Sequence, residues 1–172
     1  QELLRQAIKK EIFGTKMRSV IKNANENGVA AIVKQQFEIA KMIIATELVP
    51  IIEPEVDIHC ETKAEAEMML LKHLMDHIEQ LASDQKVILK LTIPNENNLY
   101  TSCINHPNVI RVFALSGGYS RDDANSLLTQ NKRMVASFNR ALTEGLSVEQ
   151  SDEEFNLILD SSIESIYQAS IT

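Results

Sequence analysis

The most unusual residue of this sequence is Lys90, a lysine inside an otherwise apolar predicted strand. Residues 86–94 read KVILKLTIP, and the two-residue period of a strand points Ile88, Lys90 and Thr92 to one face. Apolar residues on both faces indicate that the strand is covered on both sides. Burial disfavours the charged ammonium, and a neutral amine can attack a ketone or aldehyde to form a Schiff base. The alternative is a lysine near the rim of a sheet whose head group reaches water.

Polar side chains also stand at or near the C-terminal ends of the other predicted strands. Each strand contributes its own set, namely Lys16 and Arg18, Glu53 and Glu55, Lys90, Ser116, and Arg140. Barrels of alternating strands and helices build their active sites at this end of the strands. Solvated loops would not be expected to place polar side chains at this same position after five consecutive strands. The pattern therefore predicts one site to which five strands contribute.

Glu53 and Glu55 lie two residues apart on one strand face, and one of them is a candidate general acid or base. Forming an imine on Lys90 and breaking a carbon–carbon bond both require proton transfers. Lys16 and Arg18 add positive charge that further favours a neutral amine. The alternative role of a glutamate here is an ion pair that holds Lys16 or Arg18 in place, and we expect that role for one of the two.

The segment Ser116-Gly117-Gly118 precedes a predicted helix and is a candidate phosphate site. Glycines leave the backbone N–H groups unobstructed, and a helix N-terminus favours an anion. A Gly-Gly pair after a strand is more often only a tight turn. Arg140, at the end of the next strand, strengthens the phosphate interpretation because its guanidinium can grip two phosphate oxygens.

Composition limits the classes of function. The net charge of −7 over 172 residues argues against a nucleic-acid surface, because no basic run could neutralise a series of phosphates. Two cysteines are too few for a disulfide framework, which favours a reducing compartment such as the cytoplasm. No apolar run reaches the roughly 20 residues that span a bilayer. The chain starts with Gln1 inside a helical pattern, so we interpret it as a piece of a longer protein.

Apolar periodicity predicts strands alternating with helices along the whole chain. Strands are expected at residues 12–18, 48–55, 86–94, 109–115 and 134–138. Helices are expected at about residues 1–10, 29–44, 62–81, 99–103 and 120–128, followed by an amphipathic last helix in which Phe155 fills the core. Capping boxes are predicted for three helices, at Thr62 with Glu65, Ser120 with Asp123, and Ser147 with Gln150.

This order of elements predicts an α/β fold with parallel strands. Periodicity alone leaves open whether the sheet is doubly wound or part of a barrel. A doubly wound sheet usually carries a glycine-rich turn after its first strand, and none is found there. Five strands cannot close a (β/α)8 barrel, so a barrel would lack three strands.

A metal site is not expected. His73 and His77 stand four residues apart on one predicted helix, but no third ligand accompanies them. His77 also fits the buried stripe of that helix, so a core histidine is the better interpretation.

Five segments resemble, in order, the fourth to eighth strand ends of class I fructose-1,6-bisphosphate aldolase. They are GTKMR at 14–18, VPIIEPE at 49–55, LKLT at 89–92, LSGG at 115–118 and SFNR at 137–140. The run as a whole looks like the shorter bacterial form of that enzyme. The resemblance covers essentially all of residues 1–172, which it identifies as the C-terminal portion of a single TIM-barrel domain.

The resemblance implies a (β/α)8 barrel. It also implies a reversible, glycolytic cleavage of fructose 1,6-bisphosphate to dihydroxyacetone phosphate and glyceraldehyde 3-phosphate, which needs no metal and no cofactor. Lys90 would be the Schiff-base lysine and Glu53 the principal proton shuttle. The resemblance also gives supporting roles to Glu55 beside Glu53, to Lys16 as an electrostatic helper, to Arg18 as a nearby cation, and to Ser116, Gly117, Gly118 and Arg140 as the holders of the ketone-side phosphate.

The sequence departs from the family pattern in three respects. Asn139 stands where many relatives have glycine before the phosphate arginine, and no role is transferred to Tyr167 because the long tyrosine-ended tail of the animal enzymes has no counterpart. The family's first three strands are absent, with an aspartate and a lysine that belong to its site. We therefore expect a missing N-terminal segment of the same protein as a partner.

Two alternatives remain open on the sequence. A strand lysine in a barrel serves several Schiff-base reactions, so another lyase of sugar phosphates is possible in the same class. The alternative from another class is a non-catalytic sugar-phosphate-binding part-barrel in which Lys90 forms no imine.

Overall fold

The computed structural model describes residues 2–172 and contains one five-stranded sheet and six helices. The strands are β1 Gly14–Ile21, β2 Val49–Val56, β3 Val87–Thr92, β4 Val109–Leu115 and β5 Val135–Ala136. The helices are α1 Glu2–Lys9, α2 Glu26–Ile44, α3 Lys63–Ile78, α4 Thr101–Asn105, α5 Arg121–Leu128 and α6 Asp152–Ser170. None of the helices in this part of the chain has the length and apolar composition that a membrane crossing requires.

All five strands are parallel, and their order in the sheet follows the chain from β1 to β5. A doubly wound sheet reverses its strand order at a switch point, whereas a barrel adds each strand beside the previous one. The observed order is typical of a barrel. The predicted α/β class is confirmed, and strand order supplies the distinction that periodicity could not make.

The faces of β3 are buried in two different ways. Val87, Leu89 and Leu91 are fully buried in the core that the sheet forms with α2, α3 and α5. Burial contributes about 1.5–3 kcal/mol for each such side chain, so this face fixes the strand. Ile88 is also buried but lies outside that core, on the face that carries Lys90. The strand is covered on both faces as predicted, and only one of these faces belongs to the helix-covered core.

Strand bounds differ from the sequence prediction mainly at the two edges of the sheet. Strand β1 begins at Gly14 rather than at residue 12, and Phe13 before it is 65% exposed. Strand β5 forms only two paired residues, Val135 and Ala136, instead of five. Strand β1, at the other edge, runs on to Ile21 and pairs with β2 over eight residues, so position at an edge does not by itself shorten a strand.

The predicted cap of α5 forms, whereas the predicted cap of α3 does not. The Ser120 hydroxyl accepts a hydrogen bond from the Asp123 N–H at 3.1 Å, which satisfies one free donor of the first turn. Thr62 makes no cap bond to α3. Its hydroxyl oxygen accepts instead from the Ala24 N–H at 2.9 Å. A contact 38 residues away along the chain therefore replaces the local one.

The last helix begins one turn later than the sequence predicted. Ser151 and Glu154 form its capping box, and the helix starts at Asp152. At the predicted position, the Ser147 N–H donates to the Gln150 side-chain oxygen at 2.9 Å. The chain makes a separate turn there and then enters the helix at the second pattern.

Much of the apolar face of α6 is exposed. Phe155, which the sequence predicted as a core residue, is 38% exposed, and Ile163 and Tyr167 are 49% and 55% exposed. The buried residues of this helix are Ser162 and Ala169. Helix α6 packs near β5, the last strand of the sheet, so no further strand or helix of residues 2–172 covers this side.

Candidate active site

A polar cavity of about 560 Å³ lies at the carboxyl ends of the strands. Every sequence-predicted site residue except Gly118 lines it, together with three residues that were not predicted. The lining residues are Lys16, Arg18, Glu53, Glu55, Lys90, Leu115, Ser116, Gly117, Ser137, Asn139 and Arg140. Side chains from all five strands or the turns that follow them therefore meet at one place.

The strand register explains how these side chains meet. Strands β1 and β2 pair over eight residues, with Arg18 opposite Glu53. Lys16 and Arg18 share a face because they are two residues apart, and so do Glu53 and Glu55. The opposite faces are anchored by core residues such as Ile52 and Leu89, which are fully buried. A slip of one residue would exchange the two faces, so the apolar core fixes which side chains enter the cavity.

Glu53 is the central residue of the site. Its side chain is 4% exposed, and the Lys90 amine nitrogen Nζ lies 3.3 Å from its Oε1 atom. The Lys16 amine forms an ion pair with the other carboxylate oxygen, Oε2. The Gln36 side-chain oxygen accepts the Glu53 backbone N–H at 2.9 Å. One carboxylate thus contacts both amines, and helix α2 holds the backbone of the same residue.

Glu55 has a different partner from Glu53. Its Oε2 atom accepts a hydrogen bond of 2.8 Å from Arg18 Nε, and the Glu55 side chain is 11% exposed. This hydrogen bond and the charge of Glu55 raise the pKa of the Arg18 guanidinium. Both glutamates therefore form ion pairs with cations of β1, instead of the one glutamate expected, and Glu53 alone also contacts Lys90.

The turn after β4 requires glycine at two positions. Gly117 has φ +63°, and a Cβ atom there would approach Ile58 Cγ2 to 2.7 Å. Gly118 has φ +122°, and its Cβ would lie 4.0 Å from Arg140 Nη2. Ser116 is buried at the start of this turn. The structure therefore brings Arg140 next to the glycine turn, as expected from their adjacent strands, and no carboxylate of residues 2–172 forms an ion pair with its guanidinium.

Sequence reasoning missed Leu115, Ser137 and Asn139 as lining residues. Ser137 follows the short strand β5, and its N–H donates to the Ala114 carbonyl at 2.8 Å. Ser137 lies two residues after Val135 and therefore on the same strand face. The two-residue period of a strand could have predicted this position. Gly118 is exposed and stands beside the cavity rather than in its wall.

The two helix histidines lie away from this site. His73 Nε2 is 3.0 Å from Glu26 Oε1, and the His77 ring stacks on Phe37 with centroids 5.1 Å apart. Burial lowers the pKa of His77, which makes the neutral ring the favoured form. No group of three or more His, Cys, Asp or Glu side chains within residues 2–172 is arranged to hold a metal ion.

The charges of the cavity suit an anionic carbonyl compound. Four basic side chains, Lys16, Arg18, Lys90 and Arg140, face two carboxylates, so this region is positive in a chain whose net charge is −7. An amine and a carboxylate 3.3 Å apart are within range of a shared proton or one bridging water. Such a pair can combine a nucleophile with a general acid or base.

Sheet order and site position together define the class of protein. Consecutive parallel strands with polar residues gathered at their carboxyl ends are those of a (β/α)8 barrel, of which residues 2–172 form five strands.

Comparison with known proteins gives the family. The chain is 62% identical over 170 residues to the class 1 fructose-bisphosphate aldolase of Synechocystis, and 54% identical over 170 residues to that of Porphyromonas gingivalis. It is 52% identical over 171 residues to the same enzyme of Clostridium acetobutylicum. Each match covers 99% of this chain but only 57–58% of the relative. Over nearly its whole length the chain is thus similar to class 1 fructose-bisphosphate aldolases, and it spans little more than half of its relatives' length.

A solved structure supports the fold. The fructose-bisphosphate aldolase of Plasmodium falciparum superposes with a TM-score of 0.76 over 98% of this chain and 60% of its own, at 17% sequence identity. The predicted family and the predicted partial barrel are both confirmed. No protein-family model matches the chain.

Proposed function

We propose that the protein containing this chain is a Schiff-base-forming fructose-bisphosphate aldolase, a lyase of glycolysis and gluconeogenesis. It would cleave fructose 1,6-bisphosphate reversibly to dihydroxyacetone phosphate and glyceraldehyde 3-phosphate. The observation that carries the proposal is the Lys90 amine 3.3 Å from the Glu53 carboxylate, at the carboxyl end of a barrel strand. The names of the relatives support the choice of substrate.

Lys90 would supply the covalent chemistry without a metal or cofactor. Its neutral amine adds to the ketone carbon, and the resulting carbinolamine loses water when Glu53 donates a proton to the departing hydroxyl. The Glu53 carboxylate then takes the proton of the hydroxyl on the carbon that becomes the aldehyde, and the protonated imine accepts the electron pair of the breaking carbon–carbon bond. This releases the aldehyde and leaves an enamine on Lys90. Protonation of the enamine and hydrolysis of the imine return the amine and release the ketone.

Lys16, Arg18 and Glu55 would support this pair. The Lys16 amine contacts Glu53, so it can stabilise the carboxylate after each proton transfer. Arg18 is bound to Glu55, and the two would fix the charge distribution behind the reacting atoms.

The turn after β4 and Arg140 would hold the phosphate of the ketone half. Buried Ser116 and the glycines at 117 and 118 offer a hydroxyl and unobstructed backbone N–H groups, and Arg140 lies beside them. An Arg–phosphate contact is a charge-assisted hydrogen bond, roughly twice as strong as a neutral one. We therefore propose that Arg140→Ala raises KM for the bisphosphate by about ten- to a hundredfold with a smaller change in kcat, consistent with a lost hydrogen bond to a charged group of about 1.5–3 kcal/mol.

We further propose that residues 1–172 correspond to strands four to eight and that an N-terminal segment supplies the other three. The sheet has two edges, β1 and β5, where further strands could pair. A groove beside β5 is lined by apolar residues of β5, of the turn after it and of α6, including Phe138, Ile163 and Tyr167. A segment added there would cover this groove and complete the site. The proposed location of the whole protein is the cytoplasm.

Borohydride trapping tests the proposal on the full-length protein. Incubation with dihydroxyacetone phosphate followed by reduction and peptide mass mapping should give one adduct, on Lys90. Absence of any adduct on the well-folded protein would instead support the non-catalytic binding role. If Lys90 is trapped, cleavage rates on other sugar phosphates then separate an aldolase for the bisphosphate from another Schiff-base lyase.

A further inference from the structure

The end of β3 that carries Lys90 is not held to β2 by a regular ladder. Strands β1 and β2 pair over eight residues, whereas β2 and β3 pair only at two positions, Ile51 with Ile88 and Ile52 with Leu89. Pairing between these strands stops just before Lys90. On its other side, β3 remains paired with β4 as far as Thr92. The distance between Lys90 and Glu53 must therefore be set by other contacts.

A buried ion pair on helix α3 supplies contacts to this end of β3. Lys63 and Glu67 are one helical turn apart, and their side chains are 4% and 1% exposed. The Lys63 amine donates to the Glu67 carboxylate and, at 2.9 Å, to the carbonyl oxygen of Ile93. It donates a third hydrogen bond, of 2.8 Å, to the Asn95 side-chain oxygen.

Glu67 extends the same network. Its second oxygen accepts the Asn95 backbone N–H at 2.9 Å. Thr92 adds a further link, because its hydroxyl donates at 2.7 Å to the carbonyl oxygen of Val56 at the end of β2. Side-chain hydrogen bonds thus hold residues 92–95, where the ladder to β2 is missing, and of these bonds the one from Thr92 reaches β2.

We propose that Lys63 and Glu67 are positioning residues that hold the carboxyl end of β3 so that the Lys90 amine stays within reach of Glu53. This inference rests on the proposed Schiff-base function of Lys90. Neither residue lines the cavity, so both act through the backbone of residues 93–95. A displacement of about 1 Å at a reacting group can reduce a rate by about a hundredfold, which gives such a network a measurable effect on the reaction.

The double variant Lys63→Met with Glu67→Leu separates positioning from stability. Apolar residues of similar volume in place of a buried ion pair often leave stability unchanged or raise it. The same variant removes the three contacts to Ile93 and Asn95. The matched control is Lys34→Met with Glu38→Leu, an ion pair of the same spacing on α2 with side chains 68% and 64% exposed.

The experiment measures the rate of borohydride-trapped adduct formation on Lys90 with dihydroxyacetone phosphate, using the full-length protein. We expect the double variant to form the adduct about 10- to 100-fold more slowly, with kcat reduced similarly and KM changed less than about threefold. Its unfolding midpoint should stay within about 4 °C of the wild type. The α2 control should match the wild type in all three measurements.

Other results of the trapping experiment also decide the positioning role of Lys63 and Glu67. An unchanged trapping rate in the folded double variant overturns the positioning role. If that variant does not fold, Asn95→Ala decides, because it removes the Lys63 contact to the Asn95 side chain after β3 and keeps the buried Lys63–Glu67 pair: slower trapping at an unchanged unfolding midpoint supports positioning, and an unchanged rate overturns it. If the wild type itself gives no adduct, the proposed function fails, and the positioning role fails with it.

Discussion

Two interior lysine–glutamate pairs of this chain differ in how fully the amine is engaged. The Lys63 amine donates to three acceptors, which are a carboxylate, a backbone carbonyl and a side-chain amide oxygen. The Lys90 amine has one contact within residues 2–172, Glu53 at 3.3 Å. Lys63 is enclosed beneath the loop after β3, whereas Lys90 faces a cavity of about 560 Å³.

The difference indicates what separates a structural amine from a reactive one. An ammonium has three N–H donors and no acceptor, so a lysine with three acceptors around it has a partner for every N–H group. Removal of a proton from Lys63 would leave a buried acceptor unpaired. The residues described around Lys90 offer its amine one acceptor, the Glu53 carboxylate. The cavity beside the amine has space for a carbonyl compound. Burial with one partner favours chemistry, and burial with three favours rigidity.

Lys90→Met is the largest test of this comparison. We expect cleavage and borohydride trapping to fall to background, roughly 10⁵-fold or more, because the amine proposed to form the imine is absent. Stability should change by less than about 1 kcal/mol, since Glu53 keeps its Lys16 partner. Binding of a phosphate ligand should remain measurable by calorimetry. Loss of binding together with cleavage would mean that the fold is damaged.

Glu53→Gln tests the partner of the reactive amine. We expect kcat to fall about 10²- to 10⁴-fold, because the amide keeps the shape but cannot transfer the proton. The matched variant is Glu55→Gln, which removes charge from the carboxylate bound to Arg18 and should reduce kcat less. Steady-state kinetics of the two variants give the comparison. An equal effect of both would contradict the separate roles of the two glutamates.

Lys63→Met makes at the structural amine the same substitution as Lys90→Met at the reactive one. It leaves the Glu67 carboxylate buried without its cation, so we expect a loss of about 3–5 kcal/mol in the free energy of unfolding, measured by urea denaturation. On the exposed pair of α2, Lys34→Met should change it by at most about 1 kcal/mol. A destabilisation by Lys90→Met as large as that by Lys63→Met would remove the distinction between the two amines.

His77 extends the comparison to a half-buried base on helix α3. Burial lowers its pKa below the ordinary value of 6.5, and its ring stacks on Phe37. Between the two pKa values the unfolded chain binds more protons than the folded one, so stability is fully present above pH 6.5 and is lost as the pH falls through the folded pKa. We expect His77→Phe to keep the stack and to flatten this dependence in thermal unfolding at pH 5–8. An identical slope in the variant would assign the dependence to other groups.

Local signals in the sequence were sufficient for much of the fold. The apolar run of β4 and the hydroxyl cap of α5 at Ser120 agree with the structure, because period and capping depend on residues within one turn or strand. The alternation around Lys90 likewise indicated which face would carry the amine. The clustering of charges at strand ends predicted the lining of the cavity, since parallel strands bring equivalent ends to one edge.

Only the tertiary structure decided which partners these residues take. Thr62 caps no helix because Ala24, far away in the chain, occupies its hydroxyl, and Phe155 remains exposed because no element of residues 2–172 covers that side of α6. Strand faces alone could not choose between Glu53 and Glu55, and only the family resemblance named Glu53. No local pattern predicted that the Lys63 amine would be engaged by Glu67, Ile93 and Asn95. The residue types that can react follow from the sequence alone. Their number of partners depends on strand register and on packing between segments tens of residues apart, and that number distinguishes Lys90 from Lys63.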